Sequence, residues 1–142
     1  MPEMTGPRIN RILETAIYVD DLELAAQFYD RVFGLERLLQ DQRVVAYDAG
    51  SSTVLLLFKR GVSMTGQSLP GGFIPSHDGS GPVHFCFAID AAQVPLWEAH
   101  LVQLGVPVES RMVWPSGGKS IYFRDPDQHL IELASPGVWR TY

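Results

Sequence analysis

The feature that most limits what this chain can fold into is a pattern that occurs twice. Val19-Asp20 ends an alternating segment and opens a helical one, and Ile89-Asp90 does the same roughly 70 residues later. The helix-ending glycines, Gly34 and Gly105, keep nearly that offset. Only two copies are present, so the expectation is a pseudo-symmetric pair and not a solenoid. In the first copy, Leu13, Thr15, Ile17 and Val19 share one strand face and Glu14, Ala16 and Tyr18 the other. Asp20 or Asp21 then caps a helix through about Phe33, with Leu22, Ala25, Phe28, Tyr29 and Val32 at helical spacing and Gly34 as its stop. Residues 35–40, 43–48 and 53–59 read as three short strands. In the second copy, residues 82–89 form the strand and Asp90 introduces a helix with Pro95 in its first turn. Residues 106–111, 119–124 and 129–134 supply the remaining strands.

The predicted class is α+β: two βαβββ repeats forming a curved mixed sheet around a cleft, with helices on the outer face. One domain spans residues 1–142, with a loose arm over 1–8, a first repeat at about 9–60 and a second at about 82–136. Between them, residues 61–81 are rich in Gly and Pro and lack periodicity, which predicts a long loop.

Composition narrows the function. Hydrophobic residues at 46% and charged residues at 19% are globular values, and no apolar run approaches the ~20 residues of a membrane span. A net charge of −5 without a basic cluster argues against nucleic acid. The first residues show no basic region followed by an apolar one, so the expected compartment is the cytoplasm. The single cysteine, Cys86, precludes a disulfide within the chain or a thiolate cage, so any metal must use N and O ligands.

Chemistry concentrates on one stretch. Lys119 to Leu133 reads as a strand, a tight Asp125-Pro126-Asp127 turn and a second strand, in which Glu132 projects opposite Ile131 and Leu133. Glu14 and His84 occupy the same kind of face in the first strands of the two repeats. One imidazole and two carboxylates with open positions suit a divalent Zn, Mn, Ni, Co or Fe ion. On parity alone, a mid-strand glutamate is more often solvated or salt-bridged and a lone histidine more often hydrogen-bonded within the structure.

The twofold βαβββ order, the Val19-Asp20-Asp21-Leu22 start of the first helix, Phe33-Gly34-Leu35, and Tyr122-Phe123-Arg124-Asp125-Pro126-Asp127 followed by Leu130-Ile131-Glu132-Leu133 resemble the vicinal oxygen chelate superfamily. Its members include glyoxalase I, bleomycin-resistance proteins, fosfomycin thiol transferases and extradiol dioxygenases. The resemblance runs from about Arg11 to Pro136. It implies metal ligands at Glu14, His84 and Glu132, with Leu56 at an optional fourth position that it cannot serve. It also implies a homodimer whose clefts combine the first repeat of one chain with the second of another.

The implied function is a divalent-metal-dependent lyase or isomerase acting on a small oxygen-rich metabolite, with Glu14 or Glu132 as catalytic base. The alternative is a metal-free drug- or metabolite-binding protein. A fosfomycin-type thiol transferase and an extradiol dioxygenase are lesser alternatives. Lys119, Ser120, Tyr122 and Arg124 are candidate substrate contacts from the last hairpin, with Trp114 and Tyr47 as aromatic walls. His77 reads as a flexible loop residue, His100 and His129 as packing residues, and Cys86 as a small buried side chain.

Overall fold

The computed structural model describes residues 5–142. Strand β1 (Glu14–Val19) leads into helix α1 (Leu22–Phe33), followed by β2 (Arg37–Gln40), β3 (Val44–Gly50) and β4 (Thr53–Lys59). A short hairpin, β5 (Gln67–Leu69) and β6 (Gly72–Ile74), separates this unit from β7 (His84–Ala88), α2 (Val94–Gln103), β8 (Ser110–Val113), β9 (Lys119–Arg124) and β10 (Leu130–Ala134). The strands form two four-stranded mixed sheets of identical plan, β1-β4-β3-β2 and β7-β10-β9-β8. In each, the first strand pairs parallel with the last and the other pairings are antiparallel. The repeat is therefore a structural one, and its halves are separate sheets that share no ladder.

Local chemistry explains the boundaries. The Asp21 carboxylate caps α1 by accepting from Leu24 N–H at 3.0 Å, and Gly34 ends it at φ 61° with its N–H on Asp30 O. Pro95 lies in the first turn of α2, where a missing N–H costs nothing. Strand β8 begins four residues later than the sequence predicts. Pro107 has no N–H for a ladder, and Val106 and Val108 are spent as loop anchors on the core. Residues 61–81 are not structureless either, since they contain the β5–β6 hairpin.

Alternation decides the core. Ile17, Val19, Val45, Tyr47, Leu55 and Leu57 from the first sheet and Ile121, Phe123, Ile131 and Leu133 from the second join Ala25, Tyr29 and Val32 of α1 in one buried cluster. Phe33 at the end of α1 packs on Phe87, Trp97 and Phe123. Both sheets thus bury their helix-facing sides in a common interior, and their other faces, bearing Glu14 on one and His84 and Glu132 on the other, turn away from it.

The joint between the repeats is the β9–β10 turn. Asp125 is buried and accepts from the Tyr29 hydroxyl at 2.8 Å and from the N–H groups of Asp127 and His129 at 2.9 Å each. His129, fully buried, accepts Val83 N–H at Nδ1 (2.9 Å), which leaves Nε2–H to donate to Tyr18 O at 2.7 Å. Gln128 adopts φ 67°, a left-handed conformation that favours glycine.

Removing the phenol donor in Tyr29→Phe leaves a buried carboxylate oxygen short of a partner. It should destabilise the fold by roughly 1.5–3 kcal/mol in urea unfolding. Gln128→Gly should instead stabilise it by about 0.5–1 kcal/mol.

Candidate functional site

Strand alternation and register collect the polar residues of the second repeat on one face. His84 sits beside Leu130, Cys86 beside Glu132, Glu132 beside Tyr122 and Ala134 beside Ser120. The His84 ring is held by Nδ1–H donating to Leu130 O at 2.9 Å, so Nε2 is its free nitrogen, and that atom lies 3.2 Å from Glu132 Oε1. The other carboxylate oxygen, Oε2, accepts the Ser120 hydroxyl at 2.5 Å.

The direction of that last bond is forced. Trp114 Nε1–H, which can only donate, occupies a lone pair of Ser120 Oγ at 2.8 Å, so the hydroxyl proton is directed at Glu132. Trp114 is positioned in turn by a tight loop whose Gly118 lies against Gly137. A Cβ at Gly118 would approach Gly137 C to 2.5 Å. Tyr122 stands on the same face, and burial, reinforced by the Glu132 carboxylate, raises its phenol above the usual value.

What remains is one imidazole nitrogen and one carboxylate oxygen facing each other, each with its companion atom already committed. Two lone pairs at that distance require a shared proton or a cation. An imidazole nitrogen and a carboxylate oxygen 3.2 Å apart would be able to hold a divalent ion between them. The donor set therefore fits a divalent ion. Among the described residues no three His, Cys, Asp or Glu side chains of one chain gather around such a point.

Glu14 lies elsewhere. It is exposed on β1, pairs with Val54 in the ladder, and lines a cleft of about 690 Å³ on the open face of the first repeat. That cleft includes Ala16, Leu56 and Phe58 but neither His84 nor Glu132. Among the described residues no hydrogen bond or ion pair engages the Glu14 carboxylate.

Several expected substrate contacts are corrected. Tyr47 is fully buried, because β3 directs it beneath α1, where its hydroxyl donates to Ala26 O and Asp30. Burial, then the Asp30 carboxylate, pushes that phenol well above its ordinary value. Lys119 is exposed but shares its strand face with Ile121 and Phe123, opposite Ser120. Arg124 has the right face, yet its guanidinium is committed to Glu109 and to Gln128 O. Ser120 donates to Glu132 and Trp114 to Ser120, so neither serves as an open donor.

His77 is not a loose loop residue. Its Nδ1 pairs with the Tyr18 hydroxyl at 2.7 Å, and its ring packs edge-on to Phe58 with centroids 4.7 Å apart. His100 is a packing residue as expected, donating to Val32 O. Arg43, half-buried at the cleft, was not singled out by sequence. The signal was an arginine immediately before a strand, with no acid at pairing distance in sequence except Asp41, whose carboxylate is used by the backbone N–H groups of Arg43 and Val44.

Cys86 is exposed in the single chain, not buried. Its Sγ nevertheless lies back against the strand, 3.5 Å from Phe87 O, and desolvation followed by the Glu132 carboxylate pushes the thiol up to about 12. Alkylation of the native protein by iodoacetamide at pH 8 should be at least tenfold slower than that of the urea-unfolded chain, as read by mass spectrometry.

Comparison with known proteins agrees with this architecture. The family model of the Glyoxalase/Bleomycin resistance protein/Dioxygenase superfamily matches residues 8–133. The chain is 30% identical over 137 residues to the metallothiol transferase FosB of Bacillus licheniformis, covering 96% of this chain and 82% of the relative. It is 30% identical over 132 residues to the protein of the same name from Lysinibacillus sphaericus, covering 92% and 83%. A crystal structure described as lactoylglutathione lyase from Agrobacterium tumefaciens superposes with a TM-score of 0.85 at 37% identity, covering 94% of this chain and 99% of that one.

Proposed function

Because the chain belongs to the Glyoxalase/Bleomycin resistance protein/Dioxygenase superfamily, we propose that it is a divalent-metal-dependent enzyme of the lyase or isomerase kind, acting on a small substrate with neighbouring oxygen atoms. The observation that carries this reading is the pair of open ligand atoms, His84 Nε2 and Glu132 Oε1, at 3.2 Å. When bound, the ion supplies Lewis acidity to substrate oxygen. The names of the similar proteins, a metallothiol transferase and a lactoylglutathione lyase, support metal chemistry and small substrates.

The residues divide the work. Ser120, fixed by Trp114, keeps the Glu132 carboxylate from rotating and presents Oε1 beside His84. Glu14 is the third member of the set, and it comes from a second copy of the chain. The reason is the shared core, which turns the Glu14 face and the His84–Glu132 face away from each other within one chain. Two copies packed face to face bring the first-repeat cleft of one over the second-repeat face of the other, completing two equivalent sites. Without a hydrogen-bond or ion-pair partner among the described residues, the Glu14 carboxylate is the member of the set able to take a proton from substrate carbon and return it.

Thiol transfer is the second reading, favoured by the FosB relatives that match over nearly the whole chain. Formation of S-lactoylglutathione, against thiol consumption with fosfomycin, separates the two. Protein purified without chelator should contain about one Zn, Mn, Ni, Co or Fe per chain by elemental analysis. His84→Ala and Glu132→Ala should abolish this, and Ser120→Ala should weaken metal affinity by roughly 10–100-fold. Absence of metal after supplementation would instead indicate a metal-free binding protein.

The shared site has its own test. Neither Glu14→Ala nor His84→Ala protein should be active alone, while mixing and refolding the two should restore activity, because a mixed dimer contains one intact set. No recovery from dimers shown by native mass spectrometry to have exchanged would place the site within one chain.

A further inference from the structure

The open face of the first repeat carries polar groups that the metal chemistry does not use. Its cleft, about 690 Å³, has the size of a small-molecule site. Ala16 and Ala46 are small and lie on either side of Leu56 in the ladders, which leaves a smooth apolar trough in the middle of the sheet. Leu69 and Ile74 of the β5–β6 hairpin are exposed to solvent, although they line the cleft or its rim. An apolar wall left exposed beside a trough is suited to an apolar ligand body.

Polar groups sit at the two ends. Glu14 lies beside Val54, whereas Tyr18 lies beside Phe58 and Phe58 beside Val44, so the acid and the Tyr18 row are four strand positions, or about 13 Å, apart. At the Tyr18 end the phenol ring stacks on Phe58 and is pinned by Gly79, where a Cβ would meet it at 2.6 Å. The hydroxyl is paired with His77 Nδ1. Arg43 reaches this end half-buried, and among the described residues its guanidinium has no hydrogen-bond or ion-pair partner. Of the neighbouring acids, Asp41 is bound by backbone N–H groups, Asp78 accepts Gly61 N–H and Asp20 is paired with Arg60.

We infer that this cleft recognises an elongated organic carboxylate with an apolar body: Arg43 holds the anionic group, the Tyr18–His77 pair meets a polar group on its flank, and the far end reaches Glu14. The orientation follows from the guanidinium, which lines the Tyr18 end of the cleft without a partner among the described residues and attracts the anionic group there. The inference deepens the proposed function and rests on it for what happens at the Glu14 end; recognition at Arg43 stands on the cleft alone.

The test uses the full chain and two probes of nearly equal shape, 3-phenylpropanoate and its neutral amide, titrated by calorimetry with NMR shifts mapping the site. The acid should bind at least tenfold more tightly than the amide, with shifts centred on Ala16, Tyr18 and His77. Arg43→Gln should remove that preference and Arg43→Lys should retain part of it. Chelator-treated protein should keep the preference for the acid over the amide, so failure of the metal reading and failure of this one are told apart. Equal affinity for acid and amide, wild-type binding by Arg43→Gln, or no binding at millimolar concentration would overturn the assignment.

Discussion

A single buried imidazole joins the two halves of this protein. His129 receives the N–H of Val83, at the entrance to the second repeat, and donates to the carbonyl of Tyr18, near the end of the first strand of the first repeat. One acceptor and one donor are demanded at once, which specifies a neutral ring in one tautomer. Asp125 extends the joint by binding the amide of the same histidine and the Tyr29 hydroxyl of α1, and Asp127 accepts the N–H of Asp20. Buried polar groups that are all satisfied permit little else than the observed arrangement, since each alternative packing strands a donor or an acceptor away from water.

That joint has a chemical consequence at a distance. By locking the repeats helix side to helix side, it sends their polar faces in opposite directions. A chain with one polar face bordered by apolar wall and another carrying an acid–imidazole pair would, in the proposed dimer, supply half of each of two sites. The repeat symmetry that makes the fold easy to specify is thus also what distributes the chemistry, because equivalent strands β1 and β7 place Glu14 and His84 in equivalent positions on different sheets.

Much of this was legible in the residues. Asp20 or Asp21, with Gly34, bounds α1 in the sequence because capping is a local interaction, the structure selecting Asp21, and Thr53–Lys59 and Lys119–Arg124 are legible to the residue because alternation and turns agree there. The face of Glu132 followed from parity. Other readings failed for identifiable reasons. Tyr47 resembles a cavity wall in composition, but its register opposite Leu55 turns it into the core. Arg124 has the correct parity and is nonetheless consumed by Glu109, some fifteen residues away in sequence. His77 and the β5–β6 hairpin lay in a Gly- and Pro-rich segment without periodicity, where neither pairing nor packing leaves a pattern.

The amino-acid sequence by itself determined the two repeats, the ends of α1, the side of each strand that enters the core and the residue types available for chemistry, because these depend on capping, turn geometry and a two-residue alternation that neighbouring residues express. Only the tertiary structure decided which groups meet. That Ser120 serves Glu132 and not solvent, that His84 keeps Nε2 free, that Tyr18 pairs with His77, and that Glu14 stands apart from the other two depend on contacts between distant segments. Those contacts are settled by the shared core and by the His129 joint, and no local pattern encodes them.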